Sequence, residues 1–132
     1  MHFSTSSLIV ITVALVCQLS NAHKKPDEKH TKVVFSCHMN PDPNVPGQYI
    51  QAVCGRATEL LHPEDPTSTP TKFAFVAANS VTGSIVDYNC IDTKMDNNYC
   101  CLANTFPFDN DHEIDTDANT VTKNCKVIPG NK

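Results

Sequence analysis

Two adjacent cysteines, Cys100 and Cys101 in the stretch YCCLANTF, constrain this chain more than any other feature. Neighbouring cysteines almost never bond to each other, because the small ring that results strains both the peptide plane and the disulfide dihedral. If the thiols are oxidised, each needs its own distant partner. Their state depends on the compartment the chain enters.

The first residues, MHFSTSSLIVITVALVCQLSNA, read as a secretory signal over 1–22. An apolar run from Leu8 to Leu19 leads to Ser20-Asn21-Ala22, which places small residues where a signal peptidase reads. Cleavage is expected after Ala22. The run is shorter than the ~20 residues of a membrane span, and no other stretch approaches that length. Val16 does not suit the position before the cysteine of a lipoprotein box, so Cys17 leaves with the signal.

Six cysteines then remain: Cys37, Cys54, Cys90, Cys100, Cys101 and Cys125. An even number in a secreted chain reads as a disulfide framework. Six cysteines allow 15 pairings, and excluding a bond between neighbours does not choose among the rest. Each bridge is expected to contribute roughly 2–4 kcal/mol, which matters for a short chain without tryptophan. Zinc is the rival, but no C-x-x-C pair occurs, and only Cys37-His38 sets a cysteine beside a histidine.

The formal charge of −4 argues against a cationic membrane-disrupting peptide and against a binder of phosphate backbones. HKKPDEKHTK, at 23–32, has no apolar residue and is expected to be a disordered polar arm before a single domain over 33–132. Cleavage after Ala22 would expose His23 as an N-terminal histidine, an arrangement that chelates copper in secreted fungal polysaccharide monooxygenases. Such a site also needs a second histidine, from His30, His38, His62 or His112. A polar residue following a cleavage site is the simpler account.

Within the domain, Val33 to Cys37 reads as a strand and His38 to Gly47 as a long turn-rich loop. Gln48 to His62 mixes helical and strand signals, and a short helix over Arg56 to Leu61, stopped by Pro63, is favoured. HPEDPTSTPT reads as an exposed connector whose Thr67, Ser68, Thr69 and Thr71 offer a site for O-linked sugar. Lys72 to Ala78 and Ser84 to Cys90, joined by a turn over Asn79 to Gly83, are expected to form a hairpin. After a loop over Ile91 to Asn98, alternation in the strand Tyr99 to Leu102 sends Cys100 and Cys101 to opposite faces. Thr120 to Ile128 is read as the last strand.

Chemistry-bearing motifs are sparse. DNDHEIDTD, from Asp109 to Asp117, lacks the glycine and the terminal glutamate of an EF-hand in either register and is read as a solvated acidic loop. No G-x-S-x-G or H-E-x-x-H occurs. A small ribonuclease would need Arg56, Glu59 and a histidine from elsewhere around a phosphate, whereas Arg56 and Glu59 at i,i+3 read more simply as an ion pair on a helix.

The signal, the strand ending in Cys37, Cys54-Gly55, Tyr88-x-Cys90, Tyr99-Cys100-Cys101 and Thr105-Phe106 together resemble the small secreted cysteine-rich proteins of plant-pathogenic fungi, rust fungi in particular. The resemblance implies a candidate effector secreted during host colonisation, acting by binding and without catalytic residues. Hydrophobins share a CC doublet but carry a second one, and their films need a large apolar patch. The mean hydropathy here is −0.26. A cell-wall or surface role is the alternative.

The expectation is therefore a small disulfide-rich, mainly β domain, an antiparallel sheet with at most one short helix. It would be extracellular, with entry into a host cell left open. It would be monomeric, with no catalytic residues, cofactor or metal. Its partner would be a protein or wall target, with neither nucleic acid nor membrane.

Overall fold

The computed structural model describes residues 27–38, 48–109 and 112–130. Residues 1–22, read as the signal, His23 with its copper reading, the first part of the arm, loop residues 39–47 and residues 110–111 of the acidic run lie outside the described residues. The elements run α1 (Glu28–Thr31), β1 (Phe35–Ser36), β2 (Gln51–Leu60), β3 (Pro70–Ala77), β4 (Asn79–Ser80), β5 (Asp87–Asn89), β6 (Asn97–Cys101), β7 (Ile114–Asp117), α2 (Ala118–Asn124) and β8 (Cys125–Ile128). Every strand pair is antiparallel. The fold is small, disulfide-rich and mainly β, as the sequence led one to expect.

Two sheets are present. The larger has the order β7-β3-β2-β6-β8 and the smaller the order β1-β5-β4. Period-two alternation gives the central strand β2 one face carrying Gln51, Val53, Gly55 and Ala57, and a second face carrying Ala52, Cys54 and Arg56. Val53, Cys54 and Gly55 are all buried, so at its middle the strand is covered on both sides.

On the first face Phe75 is the hub. Its ring stacks on Phe106 at 4.9 Å between centroids and meets Tyr99 edge-on at 5.0 Å. Val121 of α2 and Cys101 complete that cluster. Phe106 belongs to no strand, yet both of its backbone groups are bonded by one side chain. Gln51 donates from Nε2 to the Phe106 carbonyl at 2.7 Å and accepts the Phe106 N–H at Oε1 at 3.0 Å. The side-chain amide stands in for a neighbouring strand, so the aromatic layer closes without a further sheet.

On the second face the small sheet packs through Phe35, Cys37 and Cys100, with Tyr88, Ala52 and Ile128 around them. Asn89 is fully buried and uses its whole hydrogen-bonding capacity. It donates to the carbonyls of Lys29 at 3.0 Å and Lys32 at 2.7 Å, and accepts from Asn79 Nδ2 at 2.9 Å and Ile91 N at 3.2 Å. Three segments of chain, 29–32, β4 and the end of β5, meet at one side chain.

Several expectations are corrected. Arg56 to Leu61 is not a helix but the second half of β2. The register against β3 slips around Glu59, leaving Thr58 and Thr71 without partners, and such bulges erase the alternation that marks a strand. The strand expected over Lys72 to Ala78 is present as β3, Pro70–Ala77, but its neighbours are β2 and β7 rather than the segment ending in Cys90. The chain changes sheets at Ala78, and the turn into β5 joins it to the two-residue β4.

The connector after His62 is exposed as expected and serves as the loop of the β2–β3 hairpin. The arm is structured from Asp27 onward, where α1 and the Asn89 bonds hold it. The acidic run ends in the edge strand β7, not in a loop. Thr120 to Asn124 lies in α2, capped by Asp117 accepting from Thr120 N at 2.9 Å, so the last strand begins only at Cys125.

Candidate interaction surface

The cysteines pair as Cys37–Cys100, Cys54–Cys90 and Cys101–Cys125. The adjacent cysteines of β6 therefore serve opposite faces. Cys101 lies in the aromatic cluster and is bonded to Cys125, directly opposite on β8; Cys100 lies under the small sheet. Cys37 and Cys90 follow β1 and β5, so two bridges fasten the small sheet to β6 and β2. These cysteines are structural anchors, and they hold the surface described next.

The other residues singled out by sequence do not converge as expected. Arg56 does not pair with Glu59: its guanidinium donates to both carboxylate oxygens of Glu113, at 2.9 and 3.2 Å. Glu59 instead pairs with Lys72 across β2–β3 at 2.7 Å, which raises the Lys72 pKa. The helical spacing that suggested the first pair does not exist on a strand. His30, His62 and His112 face the nearby carboxylates of Asp27, Glu64 and Asp109 at 3.5, 3.8 and 3.9 Å, all exposed. Among the described residues no three His, Cys, Asp or Glu side chains are grouped to hold a metal.

One surface stands out at the turn into β5. Ile85 is 91 % exposed, the extreme among the exposed large apolar side chains, and its backbone is tightly held. Ser84 N donates to the Val81 carbonyl at 3.1 Å, closing a turn in which Gly83 takes a φ of 84° that a side chain would resist. The Ser84 hydroxyl then accepts from Val86 N and Asp87 N at 3.2 and 3.1 Å. Tyr88 Oη donates to the Ile85 carbonyl at 3.0 Å. Cys37 N donates to the Val86 carbonyl at 2.9 Å, tying the turn to a bridged cysteine.

Beside Ile85 lies a hollow of about 550 Å³ lined by Cys37, His38, Ile50, Val86 and Tyr88. Next in the chain after Val86, Asp87 accepts a hydrogen bond from the Ser36 hydroxyl directly opposite on β1. That bond, then the Ser84 hydroxyl, lowers the Asp87 pKa, with a smaller contribution from His38. Sequence reasoning missed this surface because it placed Ile85 inside a strand from Ser84 onward. The available signal was Gly83-Ser84, a turn pair immediately before the isoleucine.

A second, polar cleft of about 340 Å³ lies between α1, the end of β3 and the loop after β5, with Lys29, Lys94, Asp92 and Glu113 in its walls. Asp92 and Lys94 both take left-handed backbone, at φ 61° and 60°. Its charges are of both signs and select no class of ligand, so the apolar surface is the stronger candidate. No helix among the described residues is long and apolar enough to cross a membrane. Comparison with family models, with curated proteins and with solved structures finds no match.

Proposed function

We propose that this is a secreted binding protein of the effector type, acting on a host or apoplastic macromolecule by contact and not by catalysis. The observation that carries the reading is Ile85: a large aliphatic side chain left almost wholly in solvent on a turn held by hydrogen bonds at the Ser84, Val86 and Asp87 N–H groups and at the Ile85 carbonyl. Exposing it gains nothing for folding. A pre-ordered apolar side chain beside a hollow is, however, what a small interface uses as an anchor, because little conformational freedom is left to lose on binding. The signal sequence, the bridges and the cysteine pattern support secretion and the effector resemblance.

The test is capture from host and apoplastic extract by the oxidised mature protein and by its Ile85→Asp variant. A partner retained by the parent and weakened at least tenfold by the variant, about 1.4 kcal/mol, supports the reading. Equal capture by both would remove Ile85 from the interface. Retention on wall polysaccharide alone would favour the surface role instead.

A further inference from the structure

The loop between β2 and β3 and the start of β3 carry four hydroxyl side chains, and the fold treats them unequally. Thr67 Oγ1 donates to Asp65 Oδ1 at 2.7 Å, inside a turn that also bonds Thr67 N to the same oxygen. Ser68 Oγ accepts from His62 N at 2.9 Å, closing the loop at its base. Thr71 Oγ1 donates to the Glu59 carbonyl at 3.3 Å and is half-buried at the start of β3. Among the described residues no hydrogen bond reaches the Thr69 hydroxyl, and Thr69 is exposed.

The backbone at Thr69 is equally distinctive. Its carbonyl accepts from Leu61 N at 2.9 Å, so the residue is pinned at the mouth of the hairpin. The ring of Pro70 excludes helical backbone at the residue before it and keeps Thr69 extended. Thr69 also borders a shallow hollow of about 330 Å³, which it shares with Pro70, Thr71, Asp117, Ala118 and Asn119; of its two threonines only Thr69 has a hydroxyl that makes no hydrogen bond among the described residues. That wall offers both an apolar surface for the C–H face of a sugar and polar groups for its hydroxyls.

We propose that Thr69 is a site of O-linked glycosylation, carrying a neutral sugar whose first ring rests in this hollow. The Thr69 oxygen forms the new bond to the anomeric carbon of a sugar carried as a phosphate ester. The bond from that carbon to the phosphate oxygen breaks, the phosphate-bearing carrier leaves, and the hydroxyl proton passes to a base of the transferase. Thr67 and Thr71 are disfavoured because a sugar would remove the proton each donates, and Ser68 because its oxygen already faces the His62 N–H at the base of the loop, where a sugar would crowd the backbone.

The inference rests on secretion, and the experiment separates the two. The full chain with its own leader is expressed in a yeast or filamentous-fungal host, and the culture medium is analysed by intact mass and by peptide mapping with electron-transfer fragmentation. The expected result is a mass increased by whole sugar units, with the first sugar on Thr69 in the parent protein. Thr69→Val should lose that increment and Thr67→Val should keep it. Mapping of the parent needs no variant, so a poorly folding substitution leaves the test intact. Secreted protein of unmodified mass, or sugar mapped to Thr67, Ser68 or Thr71 instead, overturns the site. Retention inside the cells with the leader uncleaved overturns secretion, and the modification with it.

Discussion

The ring of Phe75 lies flat against Gly55 across the β2–β3 pair: a β-carbon built on Gly55 would fall 2.6 Å from Cδ1 of that ring and closer still to Cε1. The ring cannot swing away, because it is fully buried, with Phe73 and Phe106 stacked on it and Tyr99 meeting it at a steep angle. Gly55→Ala is therefore expected to destabilise by about 1–3 kcal/mol through overpacking, read from urea unfolding followed by far-ultraviolet circular dichroism. Gly55→Ala combined with Phe75→Leu should recover part of the packing clash. An unfolding midpoint for Gly55→Ala equal to that of the parent would show that the ring has room to move.

Replacing Cys100 or Cys101 by alanine should break different bridges, leaving Cys37 free in one case and Cys125 in the other. Each loss is expected to cost about 2–5 kcal/mol. The Cys100 variant should suffer about 1 kcal/mol more, because its bridge spans 63 residues rather than 24. Alkylation followed by peptide mapping identifies the orphan. The same free cysteine in both variants would refute the two-faced arrangement.

Asn89→Ala leaves the carbonyls of Lys29 and Lys32, the Ile91 N–H and the Asn79 amide without their buried partner. A loss of about 2–4 kcal/mol is expected, together with faster hydrogen exchange at Lys32 N and Val34 N as α1 detaches. By the same reasoning, removing the chain through Lys32 should lower the melting temperature. Unchanged protection at these amides would mean that α1 is held by other contacts.

The bonds from Ser36 and Ser84 lower the Asp87 pKa, and those from Thr120 do the same for Asp117. A carboxylate whose folded pKa is depressed contributes stability above its unfolded pKa and loses it as the pH falls through the folded value. Stability should thus be flat near neutrality and decline once the pH enters the carboxylate range. Comparing urea midpoints from about pH 7 down to about pH 3, Asp87→Asn should show a shallower decline than the parent. Parallel profiles would show that Asp87 does not couple to folding.

Much of this protein was legible without coordinates, because some residues carry their own constraints. Six cysteines after a segment that reads as a secretory signal, an adjacent pair in a β-forming segment, and Lys72 to Ala78 as an apolar run were enough to infer a bridged β domain with Cys100 and Cys101 on opposite faces. Alternation along a strand is local physics, and it holds wherever the strand is placed. Which cysteine each would meet is not local. Cys37 and Cys125 lie 63 and 24 residues away: the order β7-β3-β2-β6-β8 sets Cys125 beside Cys101, and the packing of the small sheet β1-β5-β4 on the other face brings Cys37 to Cys100.

The tertiary structure also decided β2, where Gly55 weakens the local strand signal yet is required by the ring of Phe75. It decided the fate of Arg56 and Glu59, whose partners come from β7's approach and from β3 rather than from each other. It structured α1 by bonding the polar arm to a buried asparagine that no local pattern marks. Side-chain periodicity is written in neighbouring residues, whereas strand order and the partners of buried polar groups depend on packing between segments distant in the chain.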